Sequence, residues 1–282
     1  MSAELRTRAL DGAELSARAL IPGHDLIWIV LDTLRYDVAR DLLAAGRIPF
    51  LASLLPKGWE ERHTPGNFTY AAHQAFFAGF LPTPLGPGPH SRLFAARFPG
   101  SETTADTTCV FDAPDLVGGL AAQGYRTICI GGVGFFNQLS PLGRVLPGLF
   151  SESHWREDLG VTAPGSTRAQ VELATELLGQ SSPEERVFLF MNVSALHQPN
   201  RHYLPGADED NVESHAAALE YVDSQLEPLF RAVQARGQAL CVVCADHGTA
   251  YGEDGLHGHR HNHPVVTTVP YAEFVLEAQR TS

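Results

Sequence analysis

Short, nearly continuous apolar runs alternate along this chain with segments of helical periodicity. The runs are Asp25 to Leu31 (DLIWIVL), Thr108 to Phe111, Arg126 to Ile130, Val187 to Val193 (VFLFMNV) and Ala239 to Ala245. Runs of this length without polar alternation predict strands covered on both faces, as in a parallel sheet. The strongest helical pattern spans Asp210 to Arg236, where Val212, Ala216, Leu219, Val222, Leu226, Leu229 and Val233 recur at steps of three and four. Gly237 supplies a stop and Pro228 a kink. Further helices are predicted at Tyr36 to Ala45, Tyr70 to Phe80, Pro114 to Gln123 and Thr167 to Leu178. Strand and helix in alternation predict an α/β fold with a mostly parallel central sheet and helices on both faces. The Pro/Gly-rich stretch LPTPLGPGPH at 81–90 reads as a surface loop and a candidate lid. Strands resume soon after it, and no repeat appears, so residues 1–282 read as one domain.

Composition narrows the function. Of 282 residues, 44% are hydrophobic and 18% charged, an ordinary folded composition rather than a disordered one. Twenty Lys and Arg against 32 Asp and Glu give a net charge of −12, and no basic stripe interrupts it. Nucleic acid is therefore not an expected partner. The first twenty residues mix acids and arginines, and no later segment has the length and apolarity of a membrane span, so a cytoplasmic protein without a membrane partner is expected. Four cysteines make no disulfide framework. Cys241 and Cys244, three apart within a strand, point to opposite faces and read as buried thiols rather than a shared metal site. The unusual count is 13 histidines, with His247, His257, His259, His261 and His263 in one stretch.

Ligands of such sheets bind beyond the carboxyl ends of the strands. The first run ends in Asp32-Thr33, the fourth leads into Ser194-Ala195-Leu196-His197, and the fifth ends in Asp246-His247-Gly248. Taken singly, Asp32 reads as a helix N-cap, His197 as a loop histidine and Asp246-His247 as a turn. Together they bring carboxylates and imidazoles to one rim, which is how a metal site is assembled. Oxygen and imidazole donors without thiolates suit zinc, manganese or related divalent ions. Thr69 follows the turn Pro65-Gly66-Asn67 and opens a helix, where backbone N–H groups and the dipole favour an anion. His73 lies one turn along the same face. A free threonine hydroxyl is a weak nucleophile, and coordination to a divalent cation would activate it. Without a metal, Thr69 reads as a simple N-cap.

The segments DLIWIVLDTLRYD, FTYAAHQAFFAGFLPT, EYVDSQL and CADHGTAYGEDGLHGH resemble the alkaline phosphatase superfamily, and in particular its sulfatase-like branch, across residues 25–263. The resemblance implies that Asp32, Asp246 and His247 bind one metal, with Thr69 as its nucleophile. It implies that His259 binds a second metal or substrate oxygens, that His197 belongs to the DPHxP-like loop, and that His73 has a structural or anion-contact role. One or two divalent ions, zinc or manganese, are implied as cofactors. His257, His261 and His263 have no firm counterpart.

Three departures qualify the resemblance. The sulfatase Cys/Ser-x-Pro-x-Arg signature reads Thr69-Tyr-Ala-Ala-His73, and threonine is no source of formylglycine. Relatives with two metals place Asp four residues before the histidine aligned with His197, where Val193 stands here. A C-terminal subdomain like that of sulfatases is not expected in the roughly twenty residues after His263, so substrate-selecting parts are expected to be missing or to come from a partner protein. The expected activity is a metal-dependent hydrolase or transferase acting on a phosphate, phosphonate or sulfate ester, with phosphoryl preferred. Its partner is a small-molecule ester or a group-transfer acceptor, and hydrolysis and transfer both stay open. The alternatives are a metal-binding or partner-binding protein on a degenerate catalytic fold, and a metallo-oxidase or peptide-modifying enzyme using the histidine-rich loop for redox metals. Gly131-Gly132-Val133-Gly134 reads as a tight turn, Arg35 and Asp37 as an ion pair behind the site, and Glu253 and Asp254 as support for the ligands or solvent-exposed acids.

Overall fold

The computed structural model describes residues 5–10, 21–79, 94–95, 109–110 and 115–279. The stretch 81–90, read above as a loop and candidate lid, lies outside these residues.

The strands in chain order are β1 (Thr7–Ala9), β2 (Asp25–Leu31), β3 (Glu60–His63), β4 (Phe94–Ala95), β5 (Cys109–Val110), β6 (Arg126–Ile130), β7 (Glu152–His154), β8 (Val187–Val193), β9 (Ala239–Cys244), β10 (Ala250–Tyr251), β11 (His257–Gly258) and β12 (Thr268–Leu276). The helices are α1 (Tyr36–Ala44), α2 (Pro49–Leu54), α3 (Thr69–Ala78), α4 (Leu116–Ala122), α5 (Ser166–Gln180), α6 (Val212–Gln225), α7 (Glu227–Arg236) and α8 (Pro264–Thr267). Among the described residues the central sheet runs β1-β12-β9-β2-β8-β6-β7, with β3 also paired to β12. The pairs β9·β2, β2·β8, β8·β6 and β6·β7 are parallel. The three pairs made by β12 are antiparallel. Five strands thus form the parallel part, four of them predicted and the fifth, β7, not.

Alternation along these strands builds two cores, because successive side chains of a strand point to opposite faces. On one face Ile27, Ile29, Leu31, Leu189, Met191, Val193, Cys241 and Val243 pack against Val38 of α1, Leu51 of α2, Val171 of α5, Leu219 of α6 and Phe230 of α7. On the other, Val30, Phe188, Phe190 and Cys244 pack against Tyr70 and Phe77 of α3 and Val117 and Leu120 of α4. Cys241 and Cys244 accordingly lie in different cores, each buried and without a disulfide. Val193 belongs to the first core and is fully buried. An aspartate there would be desolvated among aliphatic side chains.

Three sequence expectations change. Of the strand predicted at 108–111, the described residues Cys109–Val110 pair with Phe94–Ala95 outside the central sheet. The helix predicted over 210–236 is two helices that meet at Leu226, and Pro228 occupies the first turn of the second. Proline is tolerated there because its missing N–H has no intrahelical partner. The first of the two starts at a capping box, in which the Asn211 side chain accepts from Ser214 N and Ser214 Oγ accepts from Asn211 N. The pattern did not predict β12, whose Pro270 and Glu273 interrupt the apolar run. Its antiparallel pairing to β9 leaves Pro270 at the end of that register, where its carbonyl accepts from Ala245 N at 3.0 Å. No described helix is long and apolar enough to cross a membrane.

Candidate active site

The order β9-β2-β8 sets the site, because neighbouring strands lie about 4.8 Å apart and deliver their last residues side by side. Asp32 leaves β2 with its backbone N–H bonded to Val193 O of β8. Thr33 then turns through φ 64°, and its N–H donates to Asp246 Oδ1 at 3.2 Å, across from β9. The same oxygen accepts the His247 N–H at 3.0 Å. Asp32, Asp246 and His247 are each fully buried. One ligand atom from each lies within 4.8 Å of the others.

Thr69 enters from α3. Phe68, not Thr69, is the N-cap, and no side chain caps the helix. The Thr69 hydroxyl instead lies 3.2 Å from His247 Nε2 and 3.5 Å from Asp32 Oδ2. Asp32 likewise caps nothing: α1 starts after Arg35, and the Asp32 carboxylate accepts from Asn192 Nδ2 at 2.9 Å. The Gly248 carbonyl, 2.8 Å from His247 Nδ1, can only accept, so Nδ1 carries the proton and Nε2 presents a lone pair toward Thr69. His197 is arranged in the same way, its Nδ1 donating to Gln198 O at 2.6 Å. Glycine is required at 248, where a Cβ would sit 1.9 Å from Val265 O.

The electrostatics are those of a cation site. Burial first, and then the charge of Asp246, raise the Asp32 carboxyl to about 6. Burial raises Asp246 to about 7 against the hydrogen bonds from Thr33 and His247. Asp32 Oδ1 and Asp246 Oδ2 are buried and accept no hydrogen bond among the described residues. Two neighbouring buried carboxylates, each with an unsatisfied oxygen, together with an imidazole lone pair, fit a divalent ion of the zinc or manganese type. His259 stands above this set, its ring centroid 4.6 Å from that of His247 and 5.7 Å from that of His197. Burial, then the neighbouring His247 and His197, lower its pKa to about 3.

The other predicted residues separate from this cluster. His73 is fully buried behind Thr69, its Nδ1 donating to the Thr69 carbonyl at 2.7 Å and lying 3.7 Å from Asp246 Oδ2. Phe76, Phe77, Phe136 and Phe190 surround its ring, and burial lowers its pKa to about 3. This placement ties the first turn of α3 to the floor of the site. His257 is exposed on the β10-β11 hairpin. His261 bonds the Gly258 carbonyl, and His263 pairs with Asp254 and caps α8 through Val265 N. Among the described residues no further set of three His, Cys or carboxylate groups comes as close together as Asp32, Asp246 and His247.

Arg35 does pair with Asp37, at 2.6 Å, and also grips Glu253, whose other oxygen accepts from Tyr251 N. Gly132 is a close approach, since a Cβ there would lie 2.3 Å from Asn192 O. Sequence reading missed Asn192, which accepts from Val133 N while donating to Asp32. A lone amide in the buried run VFLFMNV, one residue before the strand end, was the available signal. It also missed the buried knot of Asn200, Ser214, His215 and Tyr251, for which no local pattern exists.

Comparison with known proteins agrees with this architecture. The sequence profile of the Sulfatase family matches residues 24–271. The C-terminal periplasmic domain of EptC from Escherichia coli, solved as a complex with Zn, is similar at TM-score 0.61 and 13% identity, over 91% of this chain and 73% of that one. The lipoteichoic acid synthase LtaP from Listeria monocytogenes is similar at TM-score 0.60 and 14% identity, over 92% and 67%. A protein in the alkaline phosphatase superfamily from Vibrio parahaemolyticus gives TM-score 0.56 and 16% identity, over 91% of this chain and 60% of that one. No curated protein sequence matches the chain. The profile match over most of the length places this chain in the Sulfatase family, and the solved structures share its fold.

Proposed function

We propose that this protein is a metal-dependent enzyme that transfers or hydrolyses a phosphoryl ester through Thr69. The observation that carries the reading is the placement of the Thr69 hydroxyl 3.2 Å from His247 Nε2 and 3.5 Å from Asp32 Oδ2. A phosphoryl rather than a sulfuryl ester is favoured by the threonine at position 69, and by similar structures that are named as the phosphoethanolamine transferase EptC from Campylobacter jejuni and a lipoteichoic acid synthase.

Asp32, Asp246 and His247 would hold the metal, with the Thr69 hydroxyl beside it. A divalent cation there supplies Lewis-acid stabilisation of negative charge and lowers the pKa of an adjacent hydroxyl. The rest is the work of the chain. The first turn of α3 turns its backbone N–H groups toward the bound anion. His73 fixes the carbonyl of Thr69, and so the direction of its side chain. Thr69 Oγ1 attacks phosphorus as its single proton leaves to solvent water, because the Nε2 lone pair of His247 is committed to the cation, while the imidazoles of His197 and His259 face the oxygens of the phosphoryl group. The P–O bond of the ester breaks, and the leaving oxygen departs with the bonding pair and takes up a proton. Water or an acceptor hydroxyl then attacks the phosphothreonine, and Thr69 Oγ1 leaves with the bonding pair and is reprotonated.

The test is a panel of p-nitrophenyl phosphate, a phosphodiester and a sulfate ester with added zinc or manganese. Wild-type protein is expected to turn over a phosphate ester. Thr69→Ala is expected to lose roughly a thousandfold or more in kcat with metal content nearly unchanged. Full activity in that variant removes Thr69 from the mechanism, and bound metal without turnover of any ester favours a binding role.

A further inference from the structure

Arg260 combines three features. Its backbone lies at φ 78°, in the left-handed region that residues with a Cβ seldom occupy. Its exposed guanidinium makes no hydrogen bond or ion pair among the described residues, although the chain carries 32 acidic side chains against 20 basic ones. Arg35, the guanidinium that grips the same loop from below, is by contrast bound by Asp37 and Glu253. Finally, the Arg260 guanidinium lies over the ring of Phe68, 5.5 Å from its centroid, and Phe68 is the residue immediately before Thr69.

The backbone holds the arginine there. Arg260 N donates to Asn67 O at 2.8 Å, and Asn67 Nδ2 donates to Asn262 Oδ1 at 3.1 Å. These two bonds tie the histidine-rich loop to the turn that precedes α3. The charge of Arg260 is also felt within the site, since it is among the influences that lower the proton affinity of His247 and His259. Strain in a side-chain-bearing residue persists where the surrounding structure enforces it, and it concentrates at ligand clamps. A planar guanidinium stacked on an aromatic face is also pre-organised, because its fork can meet two oxygens of one tetrahedral oxyanion.

We propose that Arg260 is the anion-binding arm of this site, donating to oxygens of the phosphoryl group presented to Thr69. The identity of the anion rests on the function proposed above, while the existence of the arm does not require turnover.

The experiment is calorimetric titration of inorganic phosphate into zinc-loaded protein, for wild type, Arg260→Gly, Arg260→Gln and Arg260→Lys, with thermal midpoints measured alongside. Glycine adopts φ 78° freely, so Arg260→Gly removes the guanidinium and relieves the backbone together. The phosphate Kd is expected to rise roughly ten- to a hundredfold in the Gly and Gln variants and by less in the Lys variant. The thermal midpoint of the Gly variant is expected to stay level or rise, which a purely structural role would not produce. With a phosphate ester as substrate, KM should rise more than kcat falls. A phosphate Kd within twofold of wild type in the Gly and Gln variants, or no phosphate binding by wild type, overturns the proposal. If the Gly variant does not fold, the Gln variant decides. Absence of ester turnover in wild type, with phosphate binding still dependent on Arg260, would remove the proposed function and leave this inference standing. Turnover with Arg260 variants that match wild type in both Kd and KM would do the reverse.

Discussion

The phenolic oxygen of Tyr251 accepts a hydrogen bond from Asn200 Nδ2 at 2.8 Å and lies 2.9 Å from His215 Nδ1. Asn200 also donates to Leu196 O at 3.0 Å and accepts from Ser214 Oγ at 2.6 Å. Through these bonds the loop that carries His197 and the loop that carries His259 share one buried anchor on α6. Arg35 fastens the second loop again through Glu253.

Tyr251→Phe is therefore expected to destabilise the protein by about 1–2 kcal/mol, the usual cost of unpairing buried polar partners. Urea unfolding reads this directly. Ester turnover should fall several-fold, because both loops loosen. A double-mutant cycle of Tyr251→Phe with Asn200→Ala should be non-additive, and additive effects would show that the two side chains do not act together.

Metal should stabilise this fold, and it should do so through Asp246. In metal-free protein Asp246→Asn is expected to be as stable as wild type or more so, because it removes one of two adjacent buried carboxylates while Thr33 N and His247 N keep an acceptor. Zinc at about a hundred times its Kd should stabilise wild type by about 2.7 kcal/mol, raising the thermal midpoint by roughly 4–5 °C. The variant should show little of this rise, and a chelator should reverse it in wild type. An equal rise in the variant would place the metal elsewhere.

Acid should destabilise the fold through its buried histidines. Burial, then the charge of Arg35, lower His215 from 6.5 to about 3, and burial lowers His73 to about 3 as well. In the folded protein Tyr251 donates to His215 Nδ1, an acceptor that protonation would remove. Between pH 6.5 and 3 the unfolded chain binds protons that the folded chain refuses, so stability falls as pH falls. Each such histidine contributes about 1.4 kcal/mol per pH unit within that window. His215→Asn should flatten the slope of urea-measured stability between pH 6.5 and 4 by about one proton. An unchanged slope would show that His215 is already protonated in the folded state.

How much of this was legible beforehand follows from the kinds of signal involved. Continuous apolar runs identify β2, β6, β8 and β9, because only strands covered on both faces can be apolar at every position. The end of each run then marks where polar side chains leave the sheet, which is why Asp32, Asp246 and His247 stand out. Strand β12 escaped because it pairs at the antiparallel side of the sheet and carries Pro270 and Glu273. Pro228 announced a kink near Leu226, but apolar spacing continues unbroken through it, so the two helices read as one.

By itself, the order of residue types determined the α/β class and nominated the donors at the strand ends, since both depend on local periodicity. Tertiary structure alone decided which donors meet. Thr69 and His247 are 178 residues apart and touch only because β9, β2 and β8 lie side by side and α3 packs over their ends. It also decided that His73 and Val193 face buried packing, that His257, His261 and His263 stay in their own loop, that Asn192 reaches Asp32, that Tyr251 meets Asn200, and that Arg260 lies over Phe68 beside Thr69. Those outcomes turn on distances between segments remote in sequence, which are set by strand order and by the two packed faces of the sheet.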